Sequence, residues 1–190
     1  MNISRMIGDN GVKIDAGVII NKLKIRKRRL VIFFEDIISE YIKTCEEEGF
    51  SDLIEMAAYD WSRIYSEMLM PDIIRKIPRR LCLNSFLPVI WKRAGLLDDF
   101  NATIKDGKII LRTRYEVLTR TYGKNRFCVG LYRGILEYLF KATCNLTEVV
   151  QNMEKCEYTY SIDYNKKPDI INGKKKEMYI IASLINFGTL

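Results

Sequence analysis

Few residues in this sequence can move a proton near neutral pH. Histidine, the commonest general base and the usual ligand of catalytic zinc, is absent from all 190 positions. A nucleophile-base triad therefore lacks its normal proton carrier. The carboxylates that stand side by side, Glu35 with Asp36 and Asp98 with Asp99, are neighbours in sequence only, which does not aim two side chains into one pocket. They read as solvated or helix-end charges. No Walker-type phosphate loop is present, and no G-x-G-x-x-G opens a helix after a strand. No catalytic residue is assigned, and the sequence leans away from an enzyme.

The five cysteines, Cys45, Cys82, Cys128, Cys144 and Cys156, form an odd set without a short repeated spacing. Reduced thiols packed as small hydrophobes fit them better than a disulfide framework. Eleven tyrosines are present, and Tyr115, Tyr122, Tyr132, Tyr138, Tyr158, Tyr160 and Tyr164 crowd the second half. A phenol offers an apolar ring with one polar handle, so these residues suit either a pocket wall or ordinary core packing.

Charge is concentrated in two places within a formal net charge of +7. Lys22, Lys24, Arg26, Lys27, Arg28 and Arg29 make six of eight consecutive residues basic, and Arg75 to Arg80 is a second cluster. The first stretch can follow a phosphate backbone, which is the basis of a nucleic-acid reading. Its plainer role is a solvated approach to the first helix.

These residues need elements to position them. Residues 1–17, with three glycines and little apolar period, read as a flexible N-terminal arm, and 18–190 as a single domain. Residues 18–25 fit strand and helix equally. From Leu30 to Glu48 apolar residues recur at steps of three and four, predicting a helix closed by Gly49. Ser51 opens a second helix ended by Pro71. A third is expected to be capped by Asn84 or Ser85, with Pro88 in its first turn and Gly95 as terminator.

Asp106-Gly107, between two strand-like runs over 98–114, predicts a hairpin. A polar connection over 116–125 follows, and Asn125 caps a helix to about Thr143. Gly130 and Gly134 share one face of that helix, which costs about 1 kcal/mol per glycine relative to alanine. Close packing on the sheet, a helix contact between subunits, or space for a ligand can offset the cost. Strands are expected over 146–153 and 157–164, and 174–187 fits strand or helix.

With 48% hydrophobic residues the chain can enclose one substantial core. No apolar run approaches the roughly 18 residues that span a bilayer, and no export signal is evident, so a cytoplasmic location is expected.

Residues 127–136 (FCVGLYRGIL), then 146–150 (LTEVV), then 154–162 (EKCEYTYSI) resemble the 4-vinyl reductase domain family. The resemblance covers about residues 30 to 165. It implies a fold similar to TRAPP subunits and nitric-oxide-sensing ligand-binding domains: α+β, with an antiparallel sheet of about four or five strands and helices packed on one side. It also implies a small-molecule-binding or sensing module, often a homodimer. Some members hold zinc with two hairpin cysteines and an acidic residue. Here the hairpin offers Cys156 beside Glu154 and Glu157, so zinc would have to recruit Cys144 or Cys128 across space. The usual proximal haem ligand is missing, and no haem is expected.

The leading expectation is thus a non-catalytic domain that binds a small hydrophobic or aromatic ligand between helices and sheet. The aromatic residues of the apolar faces, Trp61, Tyr65, Phe86, Trp91, Tyr132 and Tyr138, are the expected lining. The alternatives are a dimeric assembly subunit and a nucleic-acid-associated regulator.

Overall fold

A computed structural model describes residues 12–15, 18–21, 27–29, 35–69, 77–93 and 96–168. Three short strands, β1 (Val12–Asp15), β2 (Val18–Asn21) and β3 (Lys27–Arg29), pair antiparallel in that order. A strand therefore lies inside the segment expected as a flexible arm, whose other residues fall outside those described, as does the segment 174–187.

Helix α1 (Glu35–Glu47) and helix α2 (Ser51–Leu69) follow the three-and-four spacing of their apolar residues. Gly49, at a φ of 84°, turns the chain between them, a conformation that needs no Cβ.

The third helical region departs from expectation. It starts earlier, with Pro78 as N-cap of α3 (Arg79–Leu81), passes through a π-helical turn (Cys82–Phe86) and continues as α4 (Leu87–Arg93). Pro88 is thus in the first turn of α4 as expected, but the chain before it is already helical, so it does not open the region. Proline at an α-helix interior clashes with the carbonyl four residues back, and the wider π turn occupies that preceding stretch. Asn84 caps nothing. Its side chain donates to the Ala102 carbonyl (2.8 Å) and accepts from the Ala102 N–H (2.7 Å), standing in for a neighbouring strand.

That neighbour is β4 (Asp99–Lys105), joined to β5 (Lys108–Arg114) through Asp106 and Gly107, both at positive φ (52° and 71°) as a tight hairpin turn demands. After a short α5 (Thr119–Tyr122), helix α6 (Arg126–Phe140) starts at Asn125, whose side chain accepts from the Cys128 N–H (2.8 Å). Lys141 at a φ of 55° ends it. The hairpin β6 (Thr143–Gln151) and β7 (Lys155–Asp163) completes a four-stranded antiparallel sheet in the order β4-β5-β7-β6, with an irregularity in β6 between Leu146 and Glu148.

The expected α+β architecture is present. Alternate residues Phe100, Ala102, Ile109, Leu111, Tyr158 and Tyr160 are buried on one sheet face, and α6 covers them with Cys128, Val129, Tyr132, Ile135 and Leu136. Helix α2 lies on the far side of α6, forming a second helical layer with α1. A small core of Ile42, Ile54 and Leu118 sits beneath these two helices.

Candidate ligand site

Between β5 and α5 the chain turns through two strained positions. Tyr115 and Leu118 take φ values of 47° and 67°, a region unfavourable for residues with a Cβ. Backbone contacts hold them there: Tyr115 N–H donates to the Glu154 carbonyl (2.9 Å) and Val117 N–H to the Leu96 carbonyl (2.7 Å). On the helical side, Glu35 of α1 accepts from the Leu118 N–H (2.8 Å) and from the Arg120 guanidinium. The result is that Glu116, between the two strained residues, is turned inward and left 2% exposed.

Four hydroxyl groups converge on its carboxylate. Oε1 accepts from Thr113 (3.1 Å) and Tyr132, and Oε2 from Thr119 (2.8 Å) and Tyr158 (2.5 Å). The two oxygens have different partners in a further sense. Tyr158 oxygen already accepts from the Gln151 amide (2.8 Å) and Thr119 oxygen from the Asn125 amide (2.7 Å), so each donates its proton elsewhere: Tyr158 to Oε2, and Thr119 to Oε2 with the Cys128 sulfur as a longer alternative at 3.8 Å. Thr113 has the Cys156 thiol as a second partner, whereas among the described residues the Tyr132 hydroxyl bonds to Oε1 alone. Among the described residues no cation pairs with Glu116.

Aromatic rings pack around the two tyrosines of this network. Trp91 meets Phe100 edge-on at 4.9 Å between ring centres and Tyr132 at 5.7 Å, and Tyr132 meets Tyr158 at 5.0 Å. Burial, and then the negative charge of Glu116, push the Tyr132 and Tyr158 hydroxyls well above their ordinary value. Both stay protonated and act as donors. The same two causes raise the Cys128 thiol, and take that of Cys156 up to about 11.

Of the expected pocket residues, the fold brings Trp91 and Tyr132 together, with Phe86 packed against the same core. Trp61 is elsewhere: it lies on α2, 47% exposed, with its ring 6.2 Å from Phe127. Tyr138 is buried but outside this cluster, with Lys141 over its ring at 4.4 Å. The side chain of Tyr65 is outside those described. The residues that complete the cluster, Glu116, Phe100 and Tyr158, escape a search for aromatic helix faces because they come from a connection and two strands.

Gly130 and Gly134 face α2 of the same chain. A Cβ on Gly130 would fall 2.0 Å from the Glu55 carbonyl oxygen, and one on Gly134 would fall 2.5 Å from the Tyr59 carbonyl oxygen. The partner stripe on α2, Ala58, Ser62 and Ser66 at four-residue spacing, is equally buried. That spacing was the available signal. Beside this contact lies a second buried carboxylate, Glu137, 1% exposed. It accepts from the Cys144 N–H (3.0 Å) and the Tyr59 hydroxyl, and the Arg133 guanidinium stands 3.5 Å away.

Cys128, Cys144 and Cys156 are all buried, and burial pushes the Cys144 thiol up to about 12. Among the described residues no group of three or more cysteine, aspartate and glutamate side chains is placed to hold a metal. In the basic stretch, Lys27, Arg28 and Arg29 form β3, while Lys22, Lys24 and Arg26 lie outside the described residues. Arg79 and Arg80 donate to the carbonyls of Leu139 (3.3 Å) and Ile104 (3.2 Å). No described helix is long and apolar enough to cross a membrane.

No family model matches the chain, the 4-vinyl reductase family included, and no curated relative matches it. Among solved structures it is similar to the Fe(II) unliganded H-NOX protein from K. algicida, in a mutant form, at 8% identity over 85% of this chain and 88% of that one, with a TM-score of 0.48. It is also similar to a protein studied for haem distortion in the H-NOX family, at 10% identity over 88% and 87% of the two chains, with a TM-score of 0.46. Likenesses this slight assign no family.

Both neighbours are described with iron or haem, against the expectation of no haem, and likenesses this slight carry neither haem nor its exclusion to this chain. Lack of histidine removes one axial ligand, whereas haem iron elsewhere is also held by cysteine thiolate or tyrosine, of which this chain has five and eleven. Burial raises the thiols of Cys82, Cys128, Cys144 and Cys156, so none of these is poised as a thiolate near neutral pH.

Proposed function

We propose that this chain is a non-catalytic small-molecule-binding or sensing domain, similar in role to 4-vinyl reductase modules, taking a hydrophobic or aromatic ligand between α4, α6 and the sheet. The observation that carries this reading is Glu116, a carboxylate forced into an aromatic interior by a strained connection and ringed by four hydroxyls and the Cys128 thiol. Backbone strain of this kind persists where the surrounding structure imposes it, and it concentrates at functional sites. Ligand pockets are mostly apolar with a few placed polar groups, which is the composition around Oε1. The ligand sits against Phe86 and Trp91 and exchanges a hydrogen bond with Tyr132, whose oxygen has acceptor capacity left. With every nearby thiol and phenol held protonated, the site binds and does not activate.

The chain has two tryptophans, so the Trp61→Phe variant leaves Trp91 as the single indole reporter. The test is fluorescence and thermal melting of that variant against a panel of aromatic acids, phenols and fatty acids, beside native mass spectrometry of the purified protein. Saturable change in Trp91 emission with a raised melting temperature is expected. Absence of any response, and of any co-purifying small molecule, overturns the reading.

A second reading, a homodimeric assembly subunit, is favoured by Ile37, Phe50 and Leu53, apolar side chains more than half exposed on and between α1 and α2. Light scattering at micromolar concentration decides it: a dimer is expected, and a strict monomer removes it.

A further inference from the structure

The sheet face turned away from α6 carries at one corner a shallow hollow of about 480 Å³, open to solvent. That is within the range of small-molecule sites, about 300–1,000 Å³. Two rows of side chains cross it. In one, Asn101, Arg112 and Glu157 stand side by side, and the Arg112 guanidinium is neutralised by Glu157 at 2.6 Å. In the other, Asp99, Arg114 and Lys155 stand side by side. Here Asp99 is already engaged by Lys92 at 2.9 Å, and that hydrogen bond holds its carboxyl below the ordinary value.

The second row therefore sets three cations against one carboxylate. Arg114 and Lys155 are also direct cross-strand partners, and like charges so placed destabilise a sheet. The Arg114 guanidinium lies over the Tyr115 ring, 5.8 Å from its centre, and acts on Asp99, which offsets part of this surplus. An anion in the hollow would offset the rest. Two neighbours are arranged to help. Asn152 Oδ1 accepts from the N–H groups of Glu154 (3.0 Å) and Lys155 (2.8 Å), which fixes the side chain and leaves its amide N–H₂ as a held donor. Val150, 54% exposed, adds an apolar wall for a short organic body.

We propose that this corner of the open sheet face binds a small organic anion, a carboxylate or phosphate monoester on a short apolar body, through Arg114, Lys155 and the Asn152 amide. The site is separate from the Glu116 interior, and its test does not depend on that reading. Two charge-assisted bonds and one neutral one are involved, so losing both cations weakens binding about tenfold or more.

The experiment is an amide chemical-shift titration of the whole chain at fixed ionic strength with benzoate, phenyl phosphate and, as the neutral control, benzyl alcohol. Saturable shifts at Asn101, Arg114 and Asn152 are expected with benzoate, phenyl phosphate or both, which also tells carboxylate from phosphate. Arg114→Gln with Lys155→Gln weakens them at least about tenfold without lowering the melting temperature, since a like-charge pair is removed. Lys105→Gln with Lys108→Gln, an equal loss of charge at the far, turn end of the same hairpin, leaves them intact. The site is overturned by a lack of saturable shifts with both anions, by equal shifts with benzyl alcohol, or by equal weakening in the two double variants.

Discussion

Helix α6 presents two faces that solve the same problem, a buried carboxylate beside a close contact, in opposite ways. Toward α2, the contact is backbone on backbone through Gly130 and Gly134, and Glu137 is balanced by a guanidinium whose side chain is 36% exposed. Toward the sheet, the contact is ring on ring through Tyr132, and Glu116 is held by hydroxyls and the Cys128 thiol with no guanidinium. The first arrangement is steric and leaves no latitude. The second is held by rotatable O–H groups, so its chemistry can change while its shape stays.

The sharpest way to break the comparison is to fill the α2 contact. In Gly130→Ala the new methyl meets the Glu55 carbonyl, backbone that cannot swing away, and the cost is about 3 kcal/mol or more. For a chain of this length that lowers the melting temperature by about 6–12 °C. Gly134→Ala meets Ser62 Oγ at 2.0 Å as well as the Tyr59 carbonyl. Adding Ser62→Ala should recover part of its loss and no more. Full recovery, or a Gly130→Ala protein that melts like the parent, means the two helices can separate.

Next come the carboxylates. Glu116→Leu strands four buried hydroxyls, at about 3 kcal/mol, whereas Glu137→Leu strands the Cys144 N–H and the Tyr59 hydroxyl while Arg133 turns to water, at about 2 kcal/mol. The isosteric Glu116→Gln should be milder, about 1 kcal/mol, because the new amide can place its N–H₂ toward Thr113 and Tyr132, whose oxygens can still accept. Chemical denaturation of the three proteins measures this order. A Glu137→Leu protein weaker than Glu116→Leu reverses the assignment of which carboxylate the core depends on.

Within the Glu116 network the two tyrosines should also separate. Tyr158→Phe loses a donor to Oε2 and an acceptor for Gln151, about 2 kcal/mol, while Tyr132→Phe loses one bond, about 1 kcal/mol. Equal losses mean that the oxygens of Glu116 are equivalent and that Tyr132 is not the spare partner proposed for a ligand.

The sequence made one half of this comparison far easier to see than the other. Asp106-Gly107 and Asn125 carry their geometry in their own side chains, a positive-φ turn and an N-cap, so the hairpin and the start of α6 are legible to the residue. The glycine pair on α6 was visible, but its partner emerges only when Ala58, Ser62 and Ser66 are read as a matching stripe. Glu116 was hidden because it lies in a polar connection, and only the strained φ values of Tyr115 and Leu118 turn it inward. The π turn was hidden for a related reason: Asn84 resembles a cap in sequence, while in the fold its amide is spent on the edge of β4.

The smallest expected effect concerns what holds that connection in place. Burial alone would raise the Glu35 carboxyl, but hydrogen bonds from Arg120 and the Leu118 N–H outweigh it and hold the group below its ordinary value of 4.5. A carboxyl depressed in the folded chain stabilises the fold above its unfolded value and loses that contribution as pH falls through the folded one. The parent should therefore lose stability on acidification from just above 4.5 downward, and Glu35→Gln should lose less over the same window. Both partners are partly solvated, so the difference near neutral pH is about 1 kcal/mol or less. Melting curves of the two proteins from pH 7 to about pH 3 measure it. Parallel curves mean that α1 does not pin the connection through Glu35, and that its other bonds, to Glu154, Leu96 and the hydroxyls around Glu116, hold the strained loop.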